Sequence, residues 1–320
     1  MTTALPSPLT PHRPAASGRM LLASVALASV ALALAACTSP APEPGPLPAD
    51  GAPGTYALGI QHDGVEREAV VYVPESYDAA TSTPLMLNFH GFGGTSLDHM
   101  EWADMRGLAD THGFVLAYPQ GTELEGAPHW NTSMPSADNK SSADDFGFMD
   151  ALIDTIGASY AIDADRIYAA GYSNGGMFSF ALACFRSERI AAVAAVSGAM
   201  LDDIGVDCTP DHPTSVITLH GTDDAVIAYE GGDFGRPAEE VIAYWVDHNG
   251  ITAAPETATS TEANTPVESA RHTGGEGGTE VHHHRVVGGG HDWFDITVDG
   301  ADTSTLAWDF VSRFGRSGAL

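Results

Sequence analysis

The chain has 320 residues, and 43% of them are apolar, enough for a sizeable core, so a wholly disordered protein is excluded. Its 13 Lys and Arg residues against 42 Asp and Glu residues give a net charge of −29. A surface that acidic repels phosphate backbones and anionic lipid headgroups, which argues against a nucleic-acid-binding protein. The charge indicates solubility and does not identify a substrate.

The N-terminal segment has the pattern of an export signal. Residues 1–19 contain two arginines and no acid, and residues 20–36 form an uncharged apolar run that ends in small residues. Such a run is short for a spanning helix and is typical of a secretory signal. It leads into Leu34-Ala35-Ala36-Cys37, which resembles the bacterial lipobox. We therefore expect residues 1–36 to be a lipoprotein signal peptide and Cys37 to be lipidated. An ordinary signal peptide with an incidental cysteine is the alternative.

The segment that follows predicts a tether to the outer face of the bacterial cell membrane. Residues 37–55 are rich in Pro, Ala and Gly, a composition that favours an extended chain without helix or strand pairing. We expect the membrane to be contacted only through the lipid on Cys37. Neither a repeat nor a linker divides residues 56–320, which predicts one catalytic domain.

Strand and helix patterns alternate along that domain. Strand patterns fall at 69–74, 85–89, 114–118, 166–170, 191–196, 215–219 and 280–287, and those at 85–89 and 114–118 are short, nearly continuous apolar runs, as expected of strands buried on both faces. Apolar residues at helical spacing fall at 149–160, 177–185, 237–249 and 306–314. The alternation predicts an α/β fold with a mostly parallel central sheet and helices on both faces.

The strongest catalytic signal is Gly171-Tyr172-Ser173-Asn174-Gly175, a G-x-S-x-G pattern between a predicted strand and a predicted helix. In that context the small residues allow a sharp turn that exposes the serine hydroxyl. A glycine-rich turn with a chance serine is the alternative. We predict that Ser173 is a nucleophile.

A serine nucleophile needs a base that takes its proton and hydrogen-bond donors that stabilise the oxyanion. His90-Gly91-Phe92-Gly93-Gly94 follows the strand at 85–89, where an α/β-hydrolase places its oxyanion loop. We expect the backbone N–H groups of Phe92 and Asn174 to be the donors.

The acid and the base are expected at the ends of later strands. The order of Ser173, an aspartate and His291 is the serine–acid–histidine order of this fold. Asp223 and Asp224 both follow the strand at 215–219, and spacing does not decide between them. His291 follows Gly288-Gly289-Gly290 at the end of the next strand.

The remaining histidines and cysteines predict structural roles. His220 is expected to pack beneath the acid's loop. His282, His283 and His284 suggest a metal site, but side chains in a strand alternate between faces, so we interpret them as strand residues and expect no metal or other cofactor. Cys184 and Cys208 are an even pair in an exported chain, which indicates a disulfide.

Several motifs in one order resemble the polyhydroxybutyrate depolymerase and feruloyl esterase-type α/β-hydrolases, including esterase lipoproteins. The resemblance covers about residues 55–315. Its motifs are His90-Gly-Phe-Gly-Gly, Tyr118-Pro-Gln-Gly-Thr, Trp130-Asn131, Asp145-Phe-Gly-Phe, Gly171-Tyr-Ser-Asn-Gly-Gly-Met, His220-Gly-Thr-Asp-Asp and Gly288-Gly-Gly-His.

The resemblance implies an α/β-hydrolase fold and a serine esterase that uses Ser173 and His291. It selects Asp224 as the acid, since the family pattern is H-G-T-x-D, and it matches Cys184 and Cys208 to a family disulfide. It also implies that His90, Trp130, Asn131 and Trp293 line the substrate cleft, with a core position as the alternative for Trp130.

Two departures bear on the substrate. The family often reads H-T-W-P-G after its histidine, whereas this chain reads His291-Asp292-Trp293-Phe294-Asp295. Ile251 stands where the family has a further cysteine. A separate polymer-binding domain is not evident, which weakens the case for attack on solid polyester.

The sequence therefore predicts an esterase that acts on short-chain, hydroxyalkanoate, feruloyl or acetyl-xylan esters and has no nucleic-acid partner. A peptidase or an acyltransferase on the same fold and a surface binding lipoprotein with an unused active site are the alternatives.

Overall fold

The runs predicted as strands form the centre of the fold. The computed structural model describes residues 44–48, 51–134, 141–201, 208–262 and 264–320. The apolar run at 20–36 and Cys37 lie outside these residues. The described strands are β1 Gly54–His62, β2 Val65–Val73, β3 Thr83–Phe89, β4 Val115–Pro119, β5 Thr122–Leu124, β6 Ala127–His129, β7 Ile162–Tyr172, β8 Ala192–Val196, β9 Ser215–Gly221, β10 Glu256–Glu262, β11 Thr265–His272, β12 Val281–Val286, β13 Thr297–Val298, β14 Ala301–Asp302, β15 Phe314–Gly315 and β16 Gly318–Ala319.

Ten of these strands pair into one sheet with the order β1-β2-β4-β3-β7-β8-β9-β12-β11-β10. The six central strands, from β4 to β12, run parallel to one another. The hairpins β1-β2 and β10-β11 extend the two edges with antiparallel pairs. This is the mostly parallel sheet of the α/β-hydrolase fold, as the sequence predicted.

The described helices lie between the strands along the chain and are α1 Ser96–Trp102, α2 Arg106–His112, α3 Asp145–Ser159, α4 Asn174–Phe185, α5 Ala238–His248 and α6 Thr303–Val311, and the same residues include a 3-10 turn at Glu276–Gly278. Helix α5 begins directly after Pro237 and is capped at Asn249, as the sequence predicted.

Two apolar layers cover the two faces of the sheet. On β3, Leu85, Leu87 and Phe89 belong to a core cluster with residues of α3, α4 and α5. Met86, between them, belongs to a second cluster with residues of α1, α2 and α6. Successive side chains of a strand point to opposite faces, so this division places three of the described helices on each face.

The predicted tether differs from the structure over its last part. Gly45 forms a parallel bridge with Leu58 on β1, and its N–H donates to the carbonyl oxygen of Ala57 at 2.9 Å. Leu47 is buried in the core cluster of α3 and α4. The expectation of an unpaired tether up to residue 55 was therefore wrong, because an edge strand offers free backbone groups to any extended segment beside it.

Two further findings concern the disulfide and the length and polarity of the helices. A disulfide joins Cys184, in the last turn of α4, to Cys208, as predicted. Within the described ranges, every helix is too short or too polar to cross a membrane.

Candidate active site

Ser173 lies on a sharp turn between β7 and α4. Its backbone has φ 55° and ψ −120°, a conformation that non-glycine residues rarely adopt and that marks a nucleophile elbow. The flanking glycines make the turn possible. A Cβ on Gly171 would overlap the backbone of Gly175, and a Cβ on Gly175 would lie 2.6 Å from the carbonyl oxygen of His90.

The three residues predicted to act together form one hydrogen-bonded chain. The Nε2 atom of His291 is 2.7 Å from Ser173 Oγ, and its Nδ1 atom is 2.7 Å from Asp224 Oδ2. With Nδ1–H donating to the carboxylate, Nε2 can accept the serine proton. A serine, an imidazole and a carboxylate in this order are the arrangement that activates a hydroxyl for attack.

Asp224 is held by its own loop. Burial by itself would raise the pKa of its carboxyl group, but donors from His220 and His291 and from two backbone N–H groups outweigh burial and lower the pKa below its usual range. The backbone donors are Val226 and Ile227, at 2.8 and 2.9 Å from Oδ1. The carboxylate is therefore ionised at neutral pH and can stabilise an imidazolium.

Asp223, the alternative acid, is exposed. Its backbone N–H donates to the carbonyl oxygen of Gly289, and its side chain accepts from the hydroxyl of Thr222. The structure therefore brings Asp224 and not Asp223 to His291.

Asn174 follows Ser173 in the chain, and the loop that carries Phe92 passes close to the serine. A Cβ on Gly91 would lie 3.2 Å from Ser173 Cβ, so the loop carrying Phe92 contacts the serine directly. Within the described part of the chain, the backbone N–H groups of Phe92 and Asn174 donate to no other residue. Two such N–H groups next to a serine can receive a developing oxyanion.

His90 does not line an open cleft, because its side chain is 1% exposed. Its Nε2 atom accepts from the backbone N–H of Gly121 at 3.0 Å, and its Nδ1 atom is 2.7 Å from the carbonyl oxygen of Gly91. Burial lowers the pKa of this imidazole to about 4. A neutral His90 therefore fixes the oxyanion loop against residues 120–121.

The other three residues expected in the cleft are also buried, because each has polar or aromatic partners inside the fold. The Trp130 indole stacks on Phe178 of α4. Asn131 Nδ2 donates to the carbonyl oxygen of Ala143 at 2.6 Å. Trp293 lies in the core cluster of α1, α2 and α6. Asn131 and Trp293 are as buried as Ser173, at 7% against 8% exposure, so the expectation that these residues line the substrate cleft stays a prediction.

The sequence interpretation missed three contributors to this support. Gln120 donates from Nε2 toward His90 and accepts the N–H of Ser96 at 2.8 Å. The hydroxyl of Tyr172 donates to the carbonyl oxygen of His291 at 3.0 Å. Asp145 accepts the N–H of Asn131 at 2.7 Å. All three lie within motifs on which the family resemblance rests, and this is the sequence feature that could have identified them.

The histidine-rich strand is confirmed as strand β12. His283 bonds to Thr218 and Tyr229, whereas His284 bonds to Ser269, so the neighbours have separate partners. His220 is buried beneath the acid's loop, as predicted, with its Nε2 atom 2.8 Å from the carbonyl oxygen of Ile227.

Among the described residues, one group brings three possible metal ligands within 4.8 Å of one another: His62, Asp63 and Asp144. His62 and Asp144 bond to each other at 3.1 Å, and Asp144 also caps α3 by accepting the N–H of Gly147. These two side chains therefore have roles in the fold.

Comparison with known proteins identifies the family of the chain. Residues 75–243, just over half of the chain, match the phospholipase/carboxylesterase family. The chain is 28% identical to feruloyl esterase B of Piromyces equi over 260 residues, which are 78% of this chain and 45% of that protein. It is 26% identical to a probable feruloyl esterase C of Aspergillus niger over 263 residues, 82% of this chain and 90% of that protein. The chain thus spans less than half of the first relative and most of the second.

Solved structures share the fold at low identity. An acetyl xylan esterase from Aspergillus awamori matches with a TM-score of 0.55 and 15% identity, over 73% of this chain and 93% of that one. A ferulic acid esterase from Anaeromyces mucronatus, in complex with ferulic acid, matches with a TM-score of 0.53 and 15% identity, over 83% and 92%. The matched family region includes Ser173 and Asp224, and the central sheet has the corresponding fold. The chain belongs to the phospholipase/carboxylesterase family of α/β-hydrolases.

Proposed function

We propose that the protein is an exported serine esterase that hydrolyses carboxylic esters through an acyl-enzyme on Ser173. The observation that carries this proposal is the continuous hydrogen-bonded chain from Ser173 through His291 to Asp224. The backbone N–H groups of Phe92 and Asn174, which donate to none of the described residues, support it. A protein that only bound a ligand would have no need for this alignment.

In the proposed reaction, Ser173 Oγ forms a bond to the ester carbonyl carbon while His291 Nε2 takes the hydroxyl proton. The carbonyl oxygen becomes an oxyanion that accepts hydrogen bonds from the N–H groups of Phe92 and Asn174. His291 then gives its proton to the alkoxide as the C–O bond to the alcohol breaks. Water, deprotonated by His291, then attacks the carbonyl carbon of the acyl-enzyme, and His291 returns the proton to Ser173 Oγ as the bond between that oxygen and the acyl group breaks and the acid leaves.

The charge around the site favours uncharged esters. Asp223, Asp292 and Asp295 are exposed next to the proposed catalytic residues in the sequence, in a chain of net charge −29. Exposed carboxylates and a net negative charge repel an anionic substrate. Together with relatives named feruloyl and acetylxylan esterases, this supports short-chain, feruloyl, acetyl-xylan or hydroxyalkanoate esters as substrates.

The test is hydrolysis of p-nitrophenyl acetate, butyrate and octanoate by the full chain, its Ser173→Ala variant and a Ser179→Ala control. Ser179 is a buried serine of the same helix whose hydroxyl donates to the carbonyl oxygen of Gly175. Loss of the nucleophile should lower kcat by about 10⁴-fold or more, whereas the control should stay within a few fold. Equal activity in all three proteins would contradict Ser173 as nucleophile, and an inert wild type would favour the binding lipoprotein.

Added methanol separates hydrolysis from acyl transfer. In a hydrolase the acid product dominates at low alcohol concentration, whereas an acyltransferase forms the methyl ester in excess. A panel of methyl ferulate, acetylated xylan and hydroxybutyrate oligomers then ranks the acyl groups.

We further propose that the enzyme is held at the outer face of a bacterial membrane through Cys37. The support is the sequence alone, an uncharged apolar run ending in Leu-Ala-Ala-Cys. Bacteria that express the chain and are grown with a labelled fatty acid should incorporate label into the wild type and not into Cys37→Ser. Equal labelling of both proteins would overturn the anchor.

A further inference from the structure

Trp130 contacts both arms of the proposed oxyanion hole. Its backbone N–H donates to Asn174 Oδ1 at 2.7 Å, and its carbonyl oxygen accepts from Asn174 Nδ2 at 3.1 Å. Its indole N–H donates to the carbonyl oxygen of His90 at 3.0 Å. One residue therefore fixes the residue after the serine and the start of the loop that carries Phe92.

Trp130 is itself anchored through its neighbour in the chain. The backbone N–H of Asn131 donates to Asp145 Oδ2 at 2.7 Å, and Arg67 donates to Oδ1 of the same carboxylate at 2.7 Å. The Arg67 guanidinium also lies 4.0 Å from the centre of the Phe148 ring. Asp145 is the first residue of α3, a 15-residue helix packed on the sheet. The position of Trp130 is thus set by a rigid element.

The ion pair between Arg67 and Asp145 is almost completely buried, at 4% and 0% side-chain exposure. Burial raises the pKa of the Asp145 carboxyl group, and the nearby guanidinium opposes that rise. A buried ion pair stabilises a fold no better, in general, than apolar residues of the same size. What an apolar pair could not supply here is an acceptor for the N–H of Asn131.

We propose that Asp145, held by Arg67, is a positioning residue for the oxyanion hole and acts through Asn131 and Trp130 on Asn174 and His90. The inference rests on the proposed function and assigns a role to the Asp145-Phe-Gly-Phe motif. Asp145 does not touch the substrate in this proposal. It holds the peptide that orients both N–H donors.

Two double variants separate the effect of the hydrogen-bond acceptor for Asn131 from the effect of the buried charges. Arg67→Met with Asp145→Asn removes both charges and keeps an amide oxygen that can accept from Asn131. Arg67→Met with Asp145→Leu removes both charges and the acceptor. Both lose the same ion pair, so a difference between them reports the hydrogen bond to Asn131.

The expected activity difference lies in kcat. A misplacement of about 1 Å at a catalytic group costs on the order of 100-fold, so the leucine variant should have a kcat about 10- to 100-fold below that of the asparagine variant. KM for p-nitrophenyl acetate should agree within about threefold. Inhibition by phenylboronic acid, whose adduct on Ser173 places an oxygen in the oxyanion hole, should weaken in parallel with kcat. A kcat difference below about threefold between the two variants would overturn the proposal.

Hydrogen exchange separates failure of this inference from failure of the esterase proposal, because it needs no activity. Peptides that contain the N–H groups of Trp130 and Asn131 should exchange at least tenfold faster in the leucine variant than in the asparagine variant, while peptides of α5 should be the same in both. If the wild type is inert towards esters but the exchange difference is present, the esterase proposal fails and the positioning of Trp130 by Asp145 stands. If exchange at Trp130 and Asn131 is equal in the two variants, Asp145 does not position this segment, whatever the activity.

Discussion

His220 contacts the same carboxylate oxygen that accepts the hydrogen bond of His291. The His220 Nε2 atom is 3.3 Å from Asp224 Oδ2, and the His291 Nδ1 atom is 2.7 Å from it. Because His220 Nε2 also lies 2.8 Å from the carbonyl oxygen of Ile227, it carries its proton, donates to that carbonyl and presents the same N–H group to the carboxylate. The residue that precedes the acid by four positions therefore helps to hold the acid in place.

This contact predicts that His220→Ala impairs catalysis without removing any proposed catalytic group. Loss of a donor to a buried carboxylate should lower kcat/KM about tenfold and the free energy of unfolding by about 1–3 kcal/mol. His220→Gln keeps an N–H donor of similar reach and should recover part of both. Ester hydrolysis and urea unfolding measure the two effects, and full activity in the alanine variant would contradict the role.

Two single substitutions of aspartate by asparagine test which aspartate is the catalytic acid. Asp224→Asn should reduce kcat by about 10⁴-fold, because an amide no longer stabilises the imidazolium or its Nδ1–H tautomer. Asp223→Asn alters an exposed side chain and should leave kcat within about twofold. Rates with p-nitrophenyl butyrate distinguish the two, and a reversed order of losses would make Asp223 the acid.

The disulfide between Cys184 and Cys208 should stabilise the domain without entering the chemistry. Its cysteines are 24 positions apart, and closing a loop of that length contributes about 3–4 kcal/mol in the chain-entropy model. A variant with both cysteines replaced by serine should unfold at lower urea concentration and keep its kcat at 25 °C. A kcat loss of more than tenfold in the folded variant would mean that the disulfide also positions α4 and the serine.

Acid should weaken the fold through the buried histidines. Burial lowers the pKa of His283 to about 3, below the value of about 6.5 of an unfolded imidazole. Between these two pH values the unfolded chain binds a proton that the folded chain does not, so each such histidine lowers the free energy of unfolding by about 1.4 kcal/mol per pH unit as the pH falls. Burial lowers the pKa of His284 to about 4, which adds to the loss over a narrower range.

The measurement is the slope of unfolding free energy against pH from 6.5 to 4.5 for the wild type and His283→Gln. The variant should have the flatter slope, even if its stability is lower at every pH. His112→Gln, a change at an exposed helix terminus, controls for the loss of a histidine as such. A slope in His283→Gln equal to that of the wild type would contradict the buried neutral imidazole.

Elements with a strong local pattern were predicted from the sequence, and weak ones were not. The segments predicted as strands at 85–89, 191–196 and 215–219 are confirmed as strands β3, β8 and β9, which are mostly apolar and buried on both faces. Helices α1 and α2 have seven residues each and few buried apolar side chains, so they left little pattern to detect. The hairpin of β10 and β11 at the sheet edge was missed for a similar reason, since it is rich in Thr and Glu.

The sequence by itself determined the fold class, the serine turn and the order of serine, acid and histidine, because each of these follows from short motifs whose own residues are adjacent in the chain. Three findings came only from the tertiary structure. They are the contact that distinguishes Asp224 from Asp223, the burial of the four residues expected in the cleft, and the ion pair between Arg67 and Asp145. Those relationships connect residues that are 40 to 120 positions apart, as Trp130 to His90 and Ser173 to His291 are. A local pattern carries no record of such contacts, because they arise only when the strands that bear these residues pack side by side.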